Sequence, residues 1–307
     1  MTRKVLVIGA GGFVGKALLN LPEKYLTASD ATIVRPDFDL DITDSASVLQ
    51  YLTHHQSDAL IHLAAQTFVP ESFAQPEETF RVNFLGTLNV LKTLKQIGFK
   101  GKFLYAGSAE VYGTVNPSQL PISETQPLKP RNPYAVSKVA AEALCFQWSQ
   151  TEALDIVMTR PFNHIGPGQN ERFAVSDFAR QIVEIKRGLR PPLIMVGDVD
   201  VTRDFTDVVD VVRAYLLLLS KGVSGEVYNV CSGVERSIRG LIDVMLTISG
   251  LKVEIQHEAA RTRPAEQWRV VGACEKLRQA TGWRPDIPIE TTLGNLLAYW
   301  ETKIANG

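Results

Sequence analysis

Short apolar runs alternate with amphipathic stretches along most of the chain. Lys4 to Ile8, Ala31 to Val34, Ala59 to Leu63, Lys102 to Ala106, Asp155 to Thr159 and Val227 to Val230 are mostly apolar, with β-branched members. Runs of that length with no polar alternation read as strands buried on both faces, as in a parallel sheet. Helical spacing fills the gaps. Thr43 or Asp44 caps a helix through Leu52, and Phe80, Phe84, Leu88 and Leu91 mark another from Glu77 to Gln96. Asn132-Pro133-Tyr134 opens a third, continued by the good helix formers of Ala135 to Gln147. Phe173 to Arg187 and Val208 to Leu219 read as helices, and Asp39 to Thr43 as a short strand leading into a turn. Strands alternating with helices at least five times predict an α/β fold, a doubly wound parallel (Rossmann-type) sheet with helices on both faces.

Arg160 to Gly168 carries two prolines and two glycines, so the chain is expected to leave the sheet there. The predicted division is a dinucleotide-binding domain at 1–159 plus 203–231 and a smaller α/β substrate lobe at 160–202 plus 232–307.

Composition narrows the function classes. The chain has 307 residues, enough to hide about three quarters of the surface its unfolded form exposes. A formal net charge of −1 argues against nucleic acid or an anionic membrane as the main partner. No apolar segment approaches the roughly 20 residues needed to span a bilayer, and Gly9 interrupts the first apolar run too soon for a signal-peptide core. Cys145, Cys231 and Cys274 are scattered, with no Cys-x-x-Cys or Cys/His cluster. The expectation is a cytoplasmic protein with no metal site.

Candidate chemistry starts at Gly9-x-x-Gly12-x-x-Gly15, between the first strand and a helical stretch. Gly9 permits a tight turn, Gly12 lets backbone approach a pyrophosphate, and Gly15 lets helix pack on strand. A glycine turn that binds nothing is the plainer alternative. Arg35 ends the second strand, where an arginine accommodates a 2′-phosphate and a carboxylate would suit a free ribose. NADP(H) is therefore favoured, while Asp37 and Asp39 leave NAD(H) open. Asp41 is placed to meet the adenine, and the small Ala64 and Ala65 leave room at a strand end. Asn83 reads as a buried amide bonding main chain. Ser108 comes to the same sheet edge as the glycine turn. Tyr134 and Lys138, four apart on a helix, face one side. The ammonium is expected to pull the phenol toward neutrality and make it a proton donor or acceptor. Lys186, Arg203, Arg261 and Arg263 suit an anionic ligand, with scattered surface cations as the alternative.

Together, Gly9-x-x-Gly12-x-x-Gly15, His62-Leu-Ala-Ala65, Ser108, Tyr134-x-x-x-Lys138 and Arg160-Pro-x-Asn163 resemble the extended short-chain dehydrogenase/reductase family over essentially the whole chain. Arg131 to Lys138, Arg160 to Gln169, Gly197 to Phe205 and Arg263-Pro-Ala-Glu266 are similar to its GDP-4-dehydro-6-deoxy-D-mannose reductases. The resemblance implies an NAD(P)-dependent oxidoreductase that reduces the C4 keto group of a GDP-linked 4-keto-6-deoxy sugar, giving GDP-D-rhamnose or its C4 epimer. It also implies a homodimer joined by a four-helix bundle, built from the helices holding Phe80 to Leu91 and Tyr134 to Trp148.

Residue roles follow from the same resemblance. Phe13, Val14, Ile42, Leu63, Ala64, Ala65, Thr67 and Pro161 would line the cofactor, and Lys138 would bind the nicotinamide ribose. Ser108 and Asn163 would contact the sugar, Lys186, Arg203 and Arg263 the diphosphate, and Glu266 the GDP ribose. Dehydratases of the family carry an acid or hydroxyl residue where this chain has Ala109, which cannot transfer a proton. Plain reduction is therefore favoured over a 4,6-dehydratase or 4-epimerase. Glu110 is left as a vestigial acid, a sugar ligand or an auxiliary base. A non-catalytic nucleotide sensor has no need of the Tyr134/Lys138 pair. Ile8 and Gly272-Ala273 depart from the residues common in relatives.

Overall fold

Strands β1 (Arg3–Ile8), β2 (Ala31–Val34) and β3 (Ala59–His62) are connected by helices α1 (Phe13–Leu19), α2 (Glu23–Ala28) and α3 (Ser45–His54). Helices α4 (Val69–Ala74), α5 (Pro76–Phe80) and α6 (Thr87–Gln96) lead to β4 (Lys102–Ala106), α7 (Pro133–Thr151) and β5 (Asp155–Pro161). Then come β6 (Asn163–Ile165), α8 (Ala174–Lys186), β7 (Leu193–Val196), β8 (Thr202–Asp207), α9 (Val208–Lys221) and β9 (Val227–Val230). The chain closes with β10 (Glu235–Ser237), α10 (Ile238–Ser249), β11 (Glu254–His257), α11 (Glu275–Thr281) and α12 (Ile289–Ala305). This computed structural model describes residues 2–35, 40–258 and 267–306. Asp37, Asp39, Arg261, Arg263 and Glu266 lie outside the described residues.

The main sheet has six strands in the order β2-β1-β3-β4-β5-β9, all parallel. Their C-terminal ends therefore share one edge. The inner strands β1, β3, β4 and β5 are buried on both faces over most of their length, which explains their mostly apolar character. Along β1, Val5 and Val7 join a core with Leu18 of α1 and Val211, Leu216 and Leu218 of α9. Leu6 and Ile8 point the other way, to Val48 of α3, Leu91 of α6 and Ala141 of α7. The smaller lobe holds β6, β8 and β10 in one sheet and β7 with β11 in another. Ile182 of α8, Ile242 of α10 and Leu293 and Trp300 of α12 fill its separate core. Among the described residues, no helix is long and apolar enough to cross a membrane.

Four expectations need correction. Strand β5 runs on through Arg160 and Pro161, which pair with Asn229 and Val230, so the chain leaves the sheet two residues later than its prolines suggested. Residues 203–207, expected in the dinucleotide-binding domain, do not return to the large sheet; β8 is the middle strand of the lobe's sheet, and α9 makes the return. Leu40 to Thr43 form no strand. Asp41 Oδ1 accepts from both Thr43 N and Thr43 Oγ1 at 2.8 Å, a local turn that competes with strand pairing. The helix expected from Glu77 to Gln96 is widened into a π-type turn over Arg81–Gly86, with Asn83 inside it. Such turns recur at functional sites.

Candidate active site

The glycine turn occupies the crevice between β1 and β3, where the strand order reverses. Gly9 has φ +89°, and a Cβ there would lie 2.6 Å from Ala64 N. A Cβ on Gly15 would lie 2.5 Å from Gly9 O, so α1 can sit against the turn only with glycine in that place. Gly12, the N-cap of α1, is different. Among the described residues beyond its chain neighbours, its added Cβ would meet Gly9 O at an ordinary 3.4 Å and nothing else within 4 Å, and the residue is exposed. Two glycines thus serve the chain itself, while the third leaves an open cradle that fits a dinucleotide phosphate. Phe13 and Val14 follow in α1, half-buried.

Leu63 and Ala64 each donate a backbone N–H to Ile8 O, at 2.8 and 3.1 Å, which holds the two strand ends together. Ala65 is half-buried and Thr67 exposed, on the loop past β3. Ile42 is buried; a Cβ on Gly86 would meet its Cδ1 at 2.6 Å. Arg35 is exposed and anchored by Nη2 to Leu19 O at 2.7 Å. Asp41 is exposed, held to Thr43, and its carboxyl lies below the usual value through those bonds.

Asn132 supplies the N-cap of α7, its Oδ1 accepting from Ala135 N at 2.7 Å. The turn that follows buries Tyr134 and Lys138, and Gly107 and the buried Ser108 follow the end of β4. The Ser108 hydroxyl lies on the Tyr134 side chain and favours its ionised form. Ser108 Oγ also accepts from Glu110 N at 3.2 Å. Lys138 Nζ donates to Ala106 O at 2.8 Å and lies 5.1 Å from the centroid of the Tyr105 ring and 6.0 Å from that of Tyr134. Glu110 is exposed, and Asn132 Nδ2 donates to its Oε2 at 3.2 Å.

The expected pull on the phenol is reversed. Burial pushes Tyr134 up to about 12, the Ser108 hydroxyl offsets part of this, and the Glu110 charge adds to it. Burial also draws Lys138 down to about 8. The ammonium turns to a main-chain carbonyl, and it loses its charge well before the phenol titrates. A phenol that stays protonated at neutral pH is suited to give a proton.

Asn83 is buried where main-chain bonding placed it. Its Oδ1 accepts from Gln66 N at 2.8 Å, and its Nδ2 donates to Gln66 O at 3.0 Å and Ser137 Oγ at 2.9 Å. Ser137 in turn donates to Tyr134 O at 2.7 Å, so one amide links the loop after β3 to the first turn of α7. Pro161 is buried at the end of β5 and Asn163 is exposed at the start of β6. The His164 ring stacks on Phe13 with centroids 6.0 Å apart, joining the lobe to the glycine turn.

Of the diphosphate candidates, Lys186 and Arg203 are among the described residues, and both hold protein partners. Lys186 forms an ion pair with Glu301 at 2.6 Å, between α8 and α12. Arg203 on β8 donates to Thr202 O and Gln267 O at 2.7 and 2.8 Å.

Sequence reasoning missed the buried Arg160–Glu142 pair. Arg160 Nη2 and Nε donate to the two Glu142 oxygens at 2.6 and 2.9 Å, and Nη1 donates to Tyr112 Oη at 3.0 Å. Tyr112 Oη then donates to Asn229 Oδ1 at 2.6 Å. This network ties the segment after Ser108 to β5, α7 and β9. Asn132 was also missed as a cap, although an Asn before Pro at a helix start signals one.

A family model described as GDP-mannose 4,6 dehydratase matches residues 31–296. The chain is 49% identical to the GDP-6-deoxy-D-mannose reductase of Pseudomonas aeruginosa over 308 aligned positions, covering 99% of each chain. It is 30% identical to the GDP-6-deoxy-D-talose 4-dehydrogenase of Aggregatibacter actinomycetemcomitans, over 91% of each. A solved structure of RMD from Pseudomonas aeruginosa complexed with NADPH superposes with a TM-score of 0.92 at 47% identity, covering 98% of this chain and 100% of that one.

Proposed function

The chain belongs to the GDP-mannose 4,6-dehydratase family, and from that premise we propose that it reduces the C4 keto group of a GDP-linked 4-keto-6-deoxy hexose, with NADPH favoured over NADH. One observation carries the reading. The Ser108 and Tyr134 side chains meet beside the buried Lys138, and Ala109 follows where an eliminating enzyme needs a proton donor.

NADPH, held at the cradle left open at Gly12, would supply the hydride. As charge develops on the sugar oxygen, Tyr134 gives it the phenolic proton and Ser108 donates a hydrogen bond to it. Lys138, while charged, favours the phenolate left behind. Asn163 and the exposed Glu110 carboxylate are the sugar-hydroxyl contacts in this reading, and Arg203 is a diphosphate contact. Hydride delivery to one face gives GDP-D-rhamnose, to the other its C4 epimer, and the 49% identity to a GDP-6-deoxy-D-mannose reductase favours the first.

Two copies pair through α5, α6 and α7 in this reading. Leu85, Val136 and Phe146 support it, because all three are 40–51% exposed on these helices and the turn between them. Isolated apolar residues on a monomer's surface are ordinary, but two on α7 and one on the turn that packs against it favour a covered face.

The test is direct. Purified protein is given GDP-4-dehydro-6-deoxy-D-mannose and NADPH, and both NADPH loss and the product's proton spectrum are followed. One NADPH consumed per C4 carbinol formed supports the reading. Interconversion of sugars without net NADPH loss would make the protein an epimerase, and a 4-keto product from GDP-mannose would make it a dehydratase.

A further inference from the structure

Cys231 and Cys274 lie far apart in sequence and together in the fold. Cys231 follows β9, Cys274 is the N-cap of α11, and both pack with Val111, Tyr112, Ile122 and Phe162. Each sulfur lies near the glycine two places from the other cysteine. A Cβ on Gly272 would sit 2.6 Å from Cys231 Sγ, and one on Gly233 would sit 3.7 Å from Cys274 Sγ.

The backbone around them is already fastened. The buried Asp204 carboxylate accepts from Ser232 N at 2.7 Å, Gly233 N at 2.9 Å and Gly272 N at 3.1 Å. Asn229 Nδ2 adds a bond to Ala273 O at 3.4 Å. The segments bearing the two thiols are therefore held side by side. The thiols themselves differ. Burial holds Cys231 well above the usual thiol value, whereas the neighbouring Cys231 thiol draws the half-buried Cys274 down to about 7. An accessible thiolate against a sheltered thiol is the arrangement in which one sulfur reacts first and the second resolves the product.

We propose that Cys231 and Cys274 form a thiol redox site, which a hydroperoxide oxidises to a disulfide joining the end of β9 to the start of α11. The Cys274 thiolate attacks the terminal peroxide oxygen, the O–O bond breaks, and the departing alkoxide takes up a proton. Cys274 is then a sulfenic acid, and the peroxide has been reduced to an alcohol, or to water if it was hydrogen peroxide. The Cys231 sulfur next forms the S–S bond, and its proton leaves with the sulfenic hydroxyl as water. Two thiols have given up two electrons, and a small-molecule thiol returns them by exchange. Neither sulfur touches Ser108, Tyr134 or Lys138 in the contacts described above.

The experiment treats the full chain with hydrogen peroxide, alkylates it under denaturing conditions and maps peptides without reductant. Most of the protein should yield one cross-linked pair holding Cys231 and Cys274, with Cys145 alkylated, and dithiothreitol should abolish the pair. In Cys231→Ser, dimedone should capture Cys274 as sulfenic acid to an extent at least about tenfold above the native chain, because nothing resolves it. Should Cys231→Ser fail to fold, Cys274→Ser provides the second arm and must leave Cys231 alkylated at the same dose. Recovery of Cys274 in the native chain as a free thiol or a sulfinic acid, or oxidation of Cys231 in Cys274→Ser, overturns the proposal.

Discussion

Tyr134→Phe isolates the phenolic hydroxyl. The ring stays buried in the first turn of α7, and the cap from Asn132 Oδ1 to Ala135 N is untouched. What disappears is one O–H beside Ser108, whose Oγ keeps the Glu110 N–H at 3.2 Å. Stability should therefore move by only about 1 kcal/mol, the net worth of a single hydrogen bond. Turnover should fall much further. Loss of a general acid costs about 10²–10⁴ in rate, which is about 2.7–5.5 kcal/mol of barrier. The assay is steady-state NADPH oxidation with the 4-keto sugar, beside NADPH binding by fluorescence and a urea melt. Binding within about fivefold of the native chain, with turnover down a hundredfold or more, is the expected pattern. Ser108→Ala added to this variant should cost little more, because the two groups act on one oxygen as a unit. Turnover within about fivefold of native in Tyr134→Phe would remove the hydroxyl from the chemistry, since a fivefold loss is only about 1 kcal/mol.

The motif glycines should separate by what their Cβ would meet. Gly15→Ala drives a methyl to 2.5 Å from Gly9 O and should destabilise the fold, while Gly12→Ala should melt like the native chain and lose NADPH affinity; equal melting losses in both would refute the open cradle. His62 is fully buried with Nε2 3.0 Å from Thr87 Oγ1, and burial draws it from 6.5 to about 3. The unfolded chain then binds a proton in that interval that the folded chain refuses, so stability falls as pH drops from 6.5 toward 3, by about 1.4 kcal/mol per pH unit. Urea melts of the native chain and His62→Gln across that interval check this, and the variant should show the smaller pH dependence. Leu85→Glu puts a charge on the proposed dimer face and should give a monomer by light scattering; an unchanged mass would move the interface elsewhere.

The main sheet was legible because a strand buried on both faces has to be mostly apolar, and the six runs that read this way are the six strands of the sheet. Its glycine turn was legible because two demands there are local, the φ of +89° at Gly9 and the approach of Gly15 to Gly9 O. Helical spacing alone put Tyr134 and Lys138 on one side. Other features depend on distant residues and had no local signature. Nothing near Lys138 announces that Ala106 O will hold its ammonium, or that Tyr105 will lie beside it. The Arg160–Glu142 pair joins a strand to a helix, and its partners Tyr112 and Asn229 come from a loop and another strand. Cys231 and Cys274 looked unrelated for the same reason. The strand expected before Thr43 failed because an Asp side chain satisfied backbone that a strand would have paired.

The reversed titration of the Tyr134/Lys138 pair has a kinetic consequence. A lysine ammonium favours phenolate only while it carries charge, and burial brings Lys138 down to about 8. Tyr134, near 12, is still protonated when that charge is lost. In the direction of reduction the enzyme needs both the proton on Tyr134 and the cation that stabilises what remains after the proton leaves. The value of kcat/KM, which reports groups on the free enzyme, should therefore fall as pH rises through about 8, and the group responsible is the lysine. Lys138→Arg keeps a cation that does not titrate in this range, so its profile should lose the break even if its overall rate is low. Lys138→Met should show the low, flat profile of an enzyme that never has the charge. A break that stays near 8 in Lys138→Arg would assign it to another group and separate the ammonium from the proton transfer.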